Sequence, residues 1–280
     1  MSRALVLGGG GLAGIAWEIG VLRGLLDHGV DVTDAELVVG TSAGSVVGAL
    51  LTTGADLEEL YQAQLEAGSG AERPVDFDAE RFGTAVLEAM AGATTPQEVR
   101  ARIGAIALAA DTVPEAERRD VIASRLPVHE WPERRLLVVA VNAVTGEWTA
   151  FDRDSGAGLV DAVAASCAVP GVWPPITIGD DRWIDGGVRS ITNADLAGGC
   201  DAVVILAPMV PPEGNPFGGP VQEAERLAAT TQVRLFAADE QSAAAFGSNP
   251  LDPATRPGAA RAGRAQAALV ADEVRLLWGG

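Results

Sequence analysis

Short runs of uninterrupted apolar residues end on glycine and give way to segments of helical period, and this alternation limits the fold more tightly than any other feature of the chain. Ala4–Leu7 is apolar throughout and enters Gly8-Gly9-Gly10-Gly11. Beyond it Leu12, Ile15, Ala16, Ile19, Leu22 and Leu26 recur at helical spacing as far as His28-Gly29. Glu36–Val39 reads as a second strand, and Ser45–Leu51 as a small-residue helix able to approach a sheet closely. Arg135–Val141 resumes the sheet and turns through Asn142–Gly146 into Glu147–Phe151. Leu159–Ala168 is expected as a helix, Pro175–Ile178 and Arg182–Ile184 as a short pair of strands, and Ala202–Ala207 as another fully apolar strand. The fold class expected from this order is α/β, a three-layer α/β/α sandwich around a mostly parallel central sheet.

Residues 55–125 hold no convincing strand. Helical stretches at Leu57–Leu65, Ala79–Met90 and Pro96–Ala110, separated by Gly, Pro and Ser breaks, read as a helical insert and a candidate lid. Pro211–Pro220 reads as a loop, with Val221–Phe246 and Ala259–Leu277 as helices, so residues 211–280 are expected as a helical C-terminal extension. A chain of 280 residues is long enough for one large domain over 1–280 with a substantial core.

Composition removes several classes of function. All 20 basic residues are arginine, which excludes Schiff-base chemistry and the lysine-dependent phosphate loop. A formal charge of −18 argues against nucleic acid as a partner and against electrostatic docking on an anionic membrane. Cys167 and Cys200, without paired metal-ligand spacing, suggest a reducing compartment, no disulfide framework and no metal site. Four apolar residues before the first glycine are too few for a signal-peptide core or a membrane span, so the expected location is cytoplasmic.

Gly40-Thr41-Ser42-Ala43-Gly44, directly behind Leu37-Val38-Val39, has the G-x-S-x-G form of a strand-to-helix elbow that lifts a serine hydroxyl clear for nucleophilic attack. Gly9-x-Gly11-x-x-Gly14 between a strand and a helix could serve a dinucleotide, an oxyanion, or a tight turn with no ligand. The dinucleotide reading wants an acid at the end of the second strand, where Gly40 and Ser42 stand instead. Ser42 needs a base, and the chain has only His28, at a helix end, and His129, in a loop. Neither follows an acid in the order of an α/β-hydrolase triad. Asp185, in Trp183-Ile184-Asp185-Gly186-Gly187, is the better candidate. A carboxylate with a pKa of about 4 is a weak base in water, but in a dry site it could take the serine proton directly.

Taken together, Gly9-Gly10-Gly11-Leu12-Ala13-Gly14, Gly40-Thr41-Ser42-Ala43-Gly44 and Asp185-Gly186-Gly187 resemble the patatin-like phospholipase family. Ala165-Ser166-Cys167-Ala168-Val169-Pro170-Gly171, with Pro174-Pro175 behind it, is a fourth match, and the resemblance runs from about residue 3 to 208. It implies a serine acyl hydrolase acting on lipid acyl esters through an acyl-enzyme, as a phospholipase, lysophospholipase or esterase. Ser42 would be the nucleophile, Asp185 the base, and the amides of Gly9, Gly10 and Gly11 the oxyanion hole. Gly14, Gly40, Gly44, Gly186 and Gly187 would support these motifs, with no cofactor and only transient contact with a membrane or micelle. Ala13 departs from the family, which often has a basic residue there. Asn193 is expected to form a turn or orient the loop after Asp185, and Trp17, Trp131 and Trp173 are candidates for an acyl pocket or for ordinary packing. Two rival readings are a nucleotide-binding protein that uses the first glycine loop and a catalytically silent lipid-binding regulator of the same fold.

Overall fold

The computed structural model describes residues 1–66, 75, 79–211 and 219–279. In chain order the elements are β1 (Arg3–Leu7), α1 (Gly11–Asp27), β2 (Leu37–Gly40), α2 (Ala43–Thr52), α3 (Leu57–Leu65), α4 (Ala79–Met90), α5 (Pro96–Ala109), α6 (Glu115–Arg125) and β3 (Arg135–Asn142). There follow β4 (Trp148–Phe151), α7 (Leu159–Ser166), β5 (Ile176–Ile178), β6 (Asp181–Asp185), β7 (Ala202–Ala207), α8 (Pro220–Leu227), β8 (Gln232–Ala237), α9 (Glu240–Phe246) and α10 (Arg256–Trp278). The strands form one sheet in the order β5-β6-β3-β2-β1-β7-β8, with β4 paired to β3 off this path. From β8 across to β3 the pairing is parallel, and β4, β5 and β6 are antiparallel.

The sheet is buried on both faces, which is why its central strands read as continuous apolar runs. Leu5, Leu7, Val38, Leu136, Val138, Val204 and Leu206 face the layer built by α1, α2, α7 and α10. Their neighbours Ala4, Val6, Leu37, Val39, Val139, Val203 and Ile205 pack on the other side against Ala194, Ala197 and Leu227 of α8. Further along that side Val141 and Ile184 meet Val99, Ile103 and Ala107 of α5. The three-layer expectation is therefore met. The helical insert joins both layers: Tyr61 of α3 and Ile122 of α6 belong to the first core, and Gly104 of α5 lies flat on β3's exit, where a β-carbon would sit 2.0 Å from Ala143 O.

One expectation at the C-terminal end is corrected. Gln232–Ala237, read as part of a helix from Val221 to Phe246, is an edge strand parallel to β7. Its polar Gln232 and Arg234 alternate with Val233 and Leu235, a period-two pattern too short to stand out among alanine-rich helical segments. The loop expected at Pro211–Pro220 has residues 212–218 outside the described ones. α10 packs backbone to backbone on α1. A β-carbon on Gly20 would lie 2.2 Å from Ala260 O, and one on Gly263 2.3 Å from Trp17 O. Trp17 Nε1 donates to Ser242 Oγ and Gln266 Oε1, which joins α1 to α9 and α10.

Glu18 is the anomaly of α1. It is fully buried, and neither carboxyl oxygen has a hydrogen-bond partner among the described residues. Burial pushes its pKa well above 4.5, and the nearby Gly8 amide, which already donates to Leu206 O, offsets only part of this. The folded chain therefore keeps a proton that the unfolded chain releases above about pH 4.5. Stability from this source is complete below that pH and falls as pH rises towards the raised pKa. Glu18→Gln is expected to raise Tm by several degrees at about pH 8 and to flatten the decline from about pH 5. A variant that melts no higher than wild type at the upper pH would overturn this account.

Candidate active site

Strand register brings the candidate residues together. Leu7 at the end of β1 pairs with Gly40, Gly40 pairs with Val138, and Asp185 pairs with Ala140 two positions further along β3. The glycine loop after β1, the elbow after β2 and the end of β6 thus share one edge of the sheet.

Ser42 sits between β2 and α2 with φ 51° and ψ −115°. A residue with a β-carbon held there stores roughly 1–3 kcal/mol of strain. Neighbouring groups over-determine it. Ser42 N–H donates to Ser166 Oγ at 2.9 Å, while the Ser45 hydroxyl and the Cys167 thiol donate to Ser42 O at 2.7 and 3.3 Å. Burial and the nearby Asp185 push the Cys167 thiol up to about 11, which keeps the donor proton in place. Bare α-carbons are required on both sides. A β-carbon on Gly40 would lie 2.6 Å from Gly44 O, and one on Gly44 would lie 2.1 Å from Leu7 O.

Asp185 N–H donates to Ala168 O at 3.0 Å, so the small-residue block around Ala165–Ala168 grips the backbone at both Ser42 and Asp185. Asp185 Oδ1 accepts from Gly187 N–H at 2.7 Å. Gly186 lets this turn lie on β3, since a β-carbon would come within 2.3 Å of Val139 O. The other oxygen, Oδ2, is buried and has no hydrogen-bond partner among the described residues. Burial raises the carboxyl from 3.8 to about 7, against the lowering effects of the Gly187 amide, the Ser42 hydroxyl and Arg118. The Ser42 hydroxyl therefore lies near enough to act on this carboxyl but makes no well-formed hydrogen bond to Oδ2. Arg118 of α6 is only 3% exposed, with its guanidinium 3.8 Å above the Trp173 ring. That stacking helps to hold a buried cation near the carboxyl.

The glycine loop differs from expectation at one position. Gly9 N–H donates to Ile191 O at 2.8 Å, and a β-carbon there would meet Ile191 Cδ1 at the same distance. The Gly9 amide is thus committed to the loop after Asp185 and is not a free oxyanion donor, which corrects that part of the sequence reading. The amides of Gly10 and Gly11 make no hydrogen bond among the described residues and stand at the positive end of α1. Gly14 N–H donates to Gly10 O at 2.8 Å, and its bare α-carbon lets α1 pass Ala43 and Pro208. Ala13 is buried, and its N–H donates to Pro250 O at 3.0 Å. With the Gly9 and Ala13 amides both taken, this turn is a poor cradle for a pyrophosphate.

Asn193 links the remaining parts. It is buried in the left-handed region at φ 51°, and its Nδ2 donates to Thr41 Oγ1 at 2.9 Å and to Ser190 O at 2.8 Å. It therefore forms the turn and also ties the Asp185 loop to the elbow. His28 Nδ1 lies against Gly24 O and His129 Nε2 against Ala123 O, so neither has Ser42 or Asp185 as a partner. Trp131 Nε1 donates to Ala157 O, Trp17 is held as described above, and Trp173 carries Arg118. Ile191 and Arg118 were not singled out from the sequence, and Ser166 entered only as part of the Ala165–Gly171 motif. The only signal for Arg118 is its position one turn before the buried Ile122. Among the described residues no cluster of acidic, His or Cys side chains could hold a metal, and no helix is long and apolar enough to cross a membrane.

A family model described as patatin-like phospholipase matches residues 5–197. An uncharacterized NTE family protein of Mycobacterium tuberculosis is 26% identical over 218 residues, which are 76% of this chain and 32% of that protein. The chain thus spans about a third of that relative's length. A lysophospholipase of Phaeosphaeria nodorum is 45% identical over 60 residues, 21% of this chain and 4% of that protein. Among solved structures, VipD from Legionella pneumophila aligns with TM-score 0.46 and 14% identity, covering 97% of this chain and 66% of VipD. Likeness at that level speaks to neither substrate nor mechanism.

Strain at Ser42 has a measurable consequence. Ser42→Gly is expected to be more stable than Ser42→Ala by about 1 kcal/mol, because glycine relieves the positive φ by more than it adds to unfolded-chain entropy. Urea unfolding of the two variants checks this, and equal midpoints with equal slopes would remove the strain.

Proposed function

The chain belongs to the patatin-like phospholipase family, and from that premise we propose that it is a serine acyl hydrolase cleaving lipid acyl esters with Ser42 and Asp185 as a two-residue machine. The observation that carries the reading is the buried, unpartnered Oδ2 of Asp185 beside the Ser42 hydroxyl. In water a carboxylate is too weak a base for this task. Desolvation brings it to about 7, close to where a general base is most effective. Ser42 Oγ attacks the acyl carbonyl while its proton passes to Asp185. The carbonyl oxygen becomes an oxyanion held by the Gly10 and Gly11 amides, with the α1 dipole behind them. Collapse breaks the ester bond, and the departing alcohol takes the proton from Asp185. Water then attacks the acyl-enzyme and gives its proton to Asp185, and Ser42 Oγ takes that proton as its bond to the acyl carbon breaks, which releases the free acid.

Arg118 offsets part of the desolvation and so keeps Asp185 from being protonated across the whole neutral range. The substrate class is a phospholipid or lysophospholipid presented at a membrane or micelle surface, in a cytoplasmic setting. The relative named lysophospholipase supports that choice but does not fix the headgroup or acyl length.

A fluorophosphonate probe is expected to label wild type and Asp185→Asn at very different rates and Ser42→Ala not at all. Ester hydrolysis should fall about 10³-fold or more in either variant. Folded wild type that resists the probe, or equal labelling of Ser42→Ala, would overturn the proposal. Because Asp185 must be ionised, kcat/KM for a soluble ester should rise with pH and level off above about 7. A rate independent of pH from about 5 to about 8 would mean that this carboxylate is not the base.

A further inference from the structure

The loop from Gly186 to Ala194 touches the glycine loop at Gly9, the elbow at Thr41 and the side chain of Asp185, and the α8 side chain that holds it lies outside the span that matches the family. Ile191 O fixes Gly9, Asn193 fixes Thr41 of the elbow, and Gly187 N–H fixes Asp185 Oδ1. The loop has little structure of its own beyond a short turn on either side. Two of its backbone amides converge on Ser190 Oγ, which accepts from Asn193 N–H at 2.9 Å and from Thr192 N–H at 3.2 Å. Ser190 in turn donates to Glu223 Oε1 on α8. Thr192 Oγ1 and Ala194 N–H both give hydrogen bonds to Glu223 Oε2. Glu223 is 7% exposed, and among the described residues both of its oxygens are hydrogen-bonded by this loop alone.

We propose that Glu223 is a positioning residue of the active site, an acceptor-only clamp through which α8 fixes the loop that registers Gly9, Thr41 and Asp185 against one another. This rests on the reading of Ser42 and Asp185 as the catalytic pair. Two hydroxyls and an amide aimed at one side chain require a group with no donor of its own, which glutamate supplies and glutamine does not. Glu223→Gln preserves volume but turns one oxygen into a donor, so either the Ser190 or the Thr192 hydroxyl loses its acceptor. Misplacing reacting groups by about 1 Å can cost about 100-fold in rate. Ground-state binding of a lipid chain depends little on that registration. The effect should therefore fall on kcat.

A cavity of about 350 Å3 bordered by Ser190, Glu223, Arg226 and Thr230 lies beside the clamp, while neither Ser42 nor Asp185 lines it. This gives the truncated variant a route to repair, because a small carboxylate can enter where the side chain was. Asp185 itself is faced by Arg118 from α6 and by Cys167 at the end of α7. α6 and Cys167 pack on the side of the sheet opposite α8, so their influence is common to all variants.

The experiment follows fluorophosphonate labelling of Ser42 and hydrolysis of a soluble ester in wild type, Glu223→Gln and Glu223→Ala, with far-UV circular dichroism and Tm for each. The expected result is a fall of about 10-fold or more in kcat and in labelling rate for Glu223→Gln, with KM within about twofold. The acid limb of its pH–rate profile should also move to lower pH, because a loosened loop admits water to Asp185. Acetate should restore part of the labelling in Glu223→Ala. Folded variants that label at the wild-type rate, while Ser42→Ala does not label, would overturn the clamp and leave the hydrolase reading intact. Loss of kcat in proportion to lost folded protein, with an unmoved pH profile and no acetate rescue, would also overturn it. Wild type that fails to label would remove the hydrolase reading first.

Discussion

The bare α-carbon of Gly44 against the carbonyl of Leu7 is the contact on which the rest of the site depends. A β-carbon there would stand 2.1 Å from that oxygen, so α2 can start over the end of β1 only if residue 44 is glycine. From this approach Gly44 N–H reaches Gly8 O at 3.0 Å, and Thr41 N–H reaches Leu7 O at the same distance. Those two bonds bolt the elbow to the glycine loop before any side chain is considered. Ser42 then has no choice of backbone conformation, and the groups from Ser166 and Cys167 absorb its strain. The two-residue machine proposed for Ser42 and Asp185 would need such rigidity, since it has no intervening imidazole to swing and correct a misplacement.

How much of this was legible in the chain follows from how local each cause is. The central strands announced themselves because burial on both faces leaves no polar residue to obscure them. The elbow at Ser42 and the turn at Asp185 were legible because glycines needed for close approach must sit beside them in sequence. β8 was not, because an edge strand has one wet face and its alternation spans only six residues. The engagement of the Gly9 amide was invisible for another reason. Its acceptor, Ile191 O, lies far along the chain and belongs to a residue with no polar side chain. The block at Ala165–Ala168 was recognisable as a motif, but its task of holding two backbones at once appears only in three dimensions. Arg118 had the weakest signal, a charge at a core-facing helical position.

The electrostatics of the site run against those of the molecule. An excess of 18 negative charges surrounds a buried acid that is itself reluctant to ionise. Desolvation sets the direction at Asp185, and a single stacked arginine with two hydrogen-bond donors limits how far it goes. Glu18, on the same edge of α1 as the glycine loop, has desolvation with almost no counterweight. Both carboxyls are buried, and the one at Asp185 has more hydrogen-bond donors facing it.

The packing of α10 on α1 has a consequence for how the molecule is made. The groove on α1 is cut by Gly20 and Gly24 within the first tenth of the chain, whereas the helix that fills it ends at Trp278. During synthesis α1 must therefore wait, with a notched and largely apolar flank uncovered, until the sheet strands and α10 that follow it in the chain have emerged. Contacts so distant in sequence are slow to form. The flank is therefore covered late, after β7 and β8, which precede α10 in the chain, are available to pair.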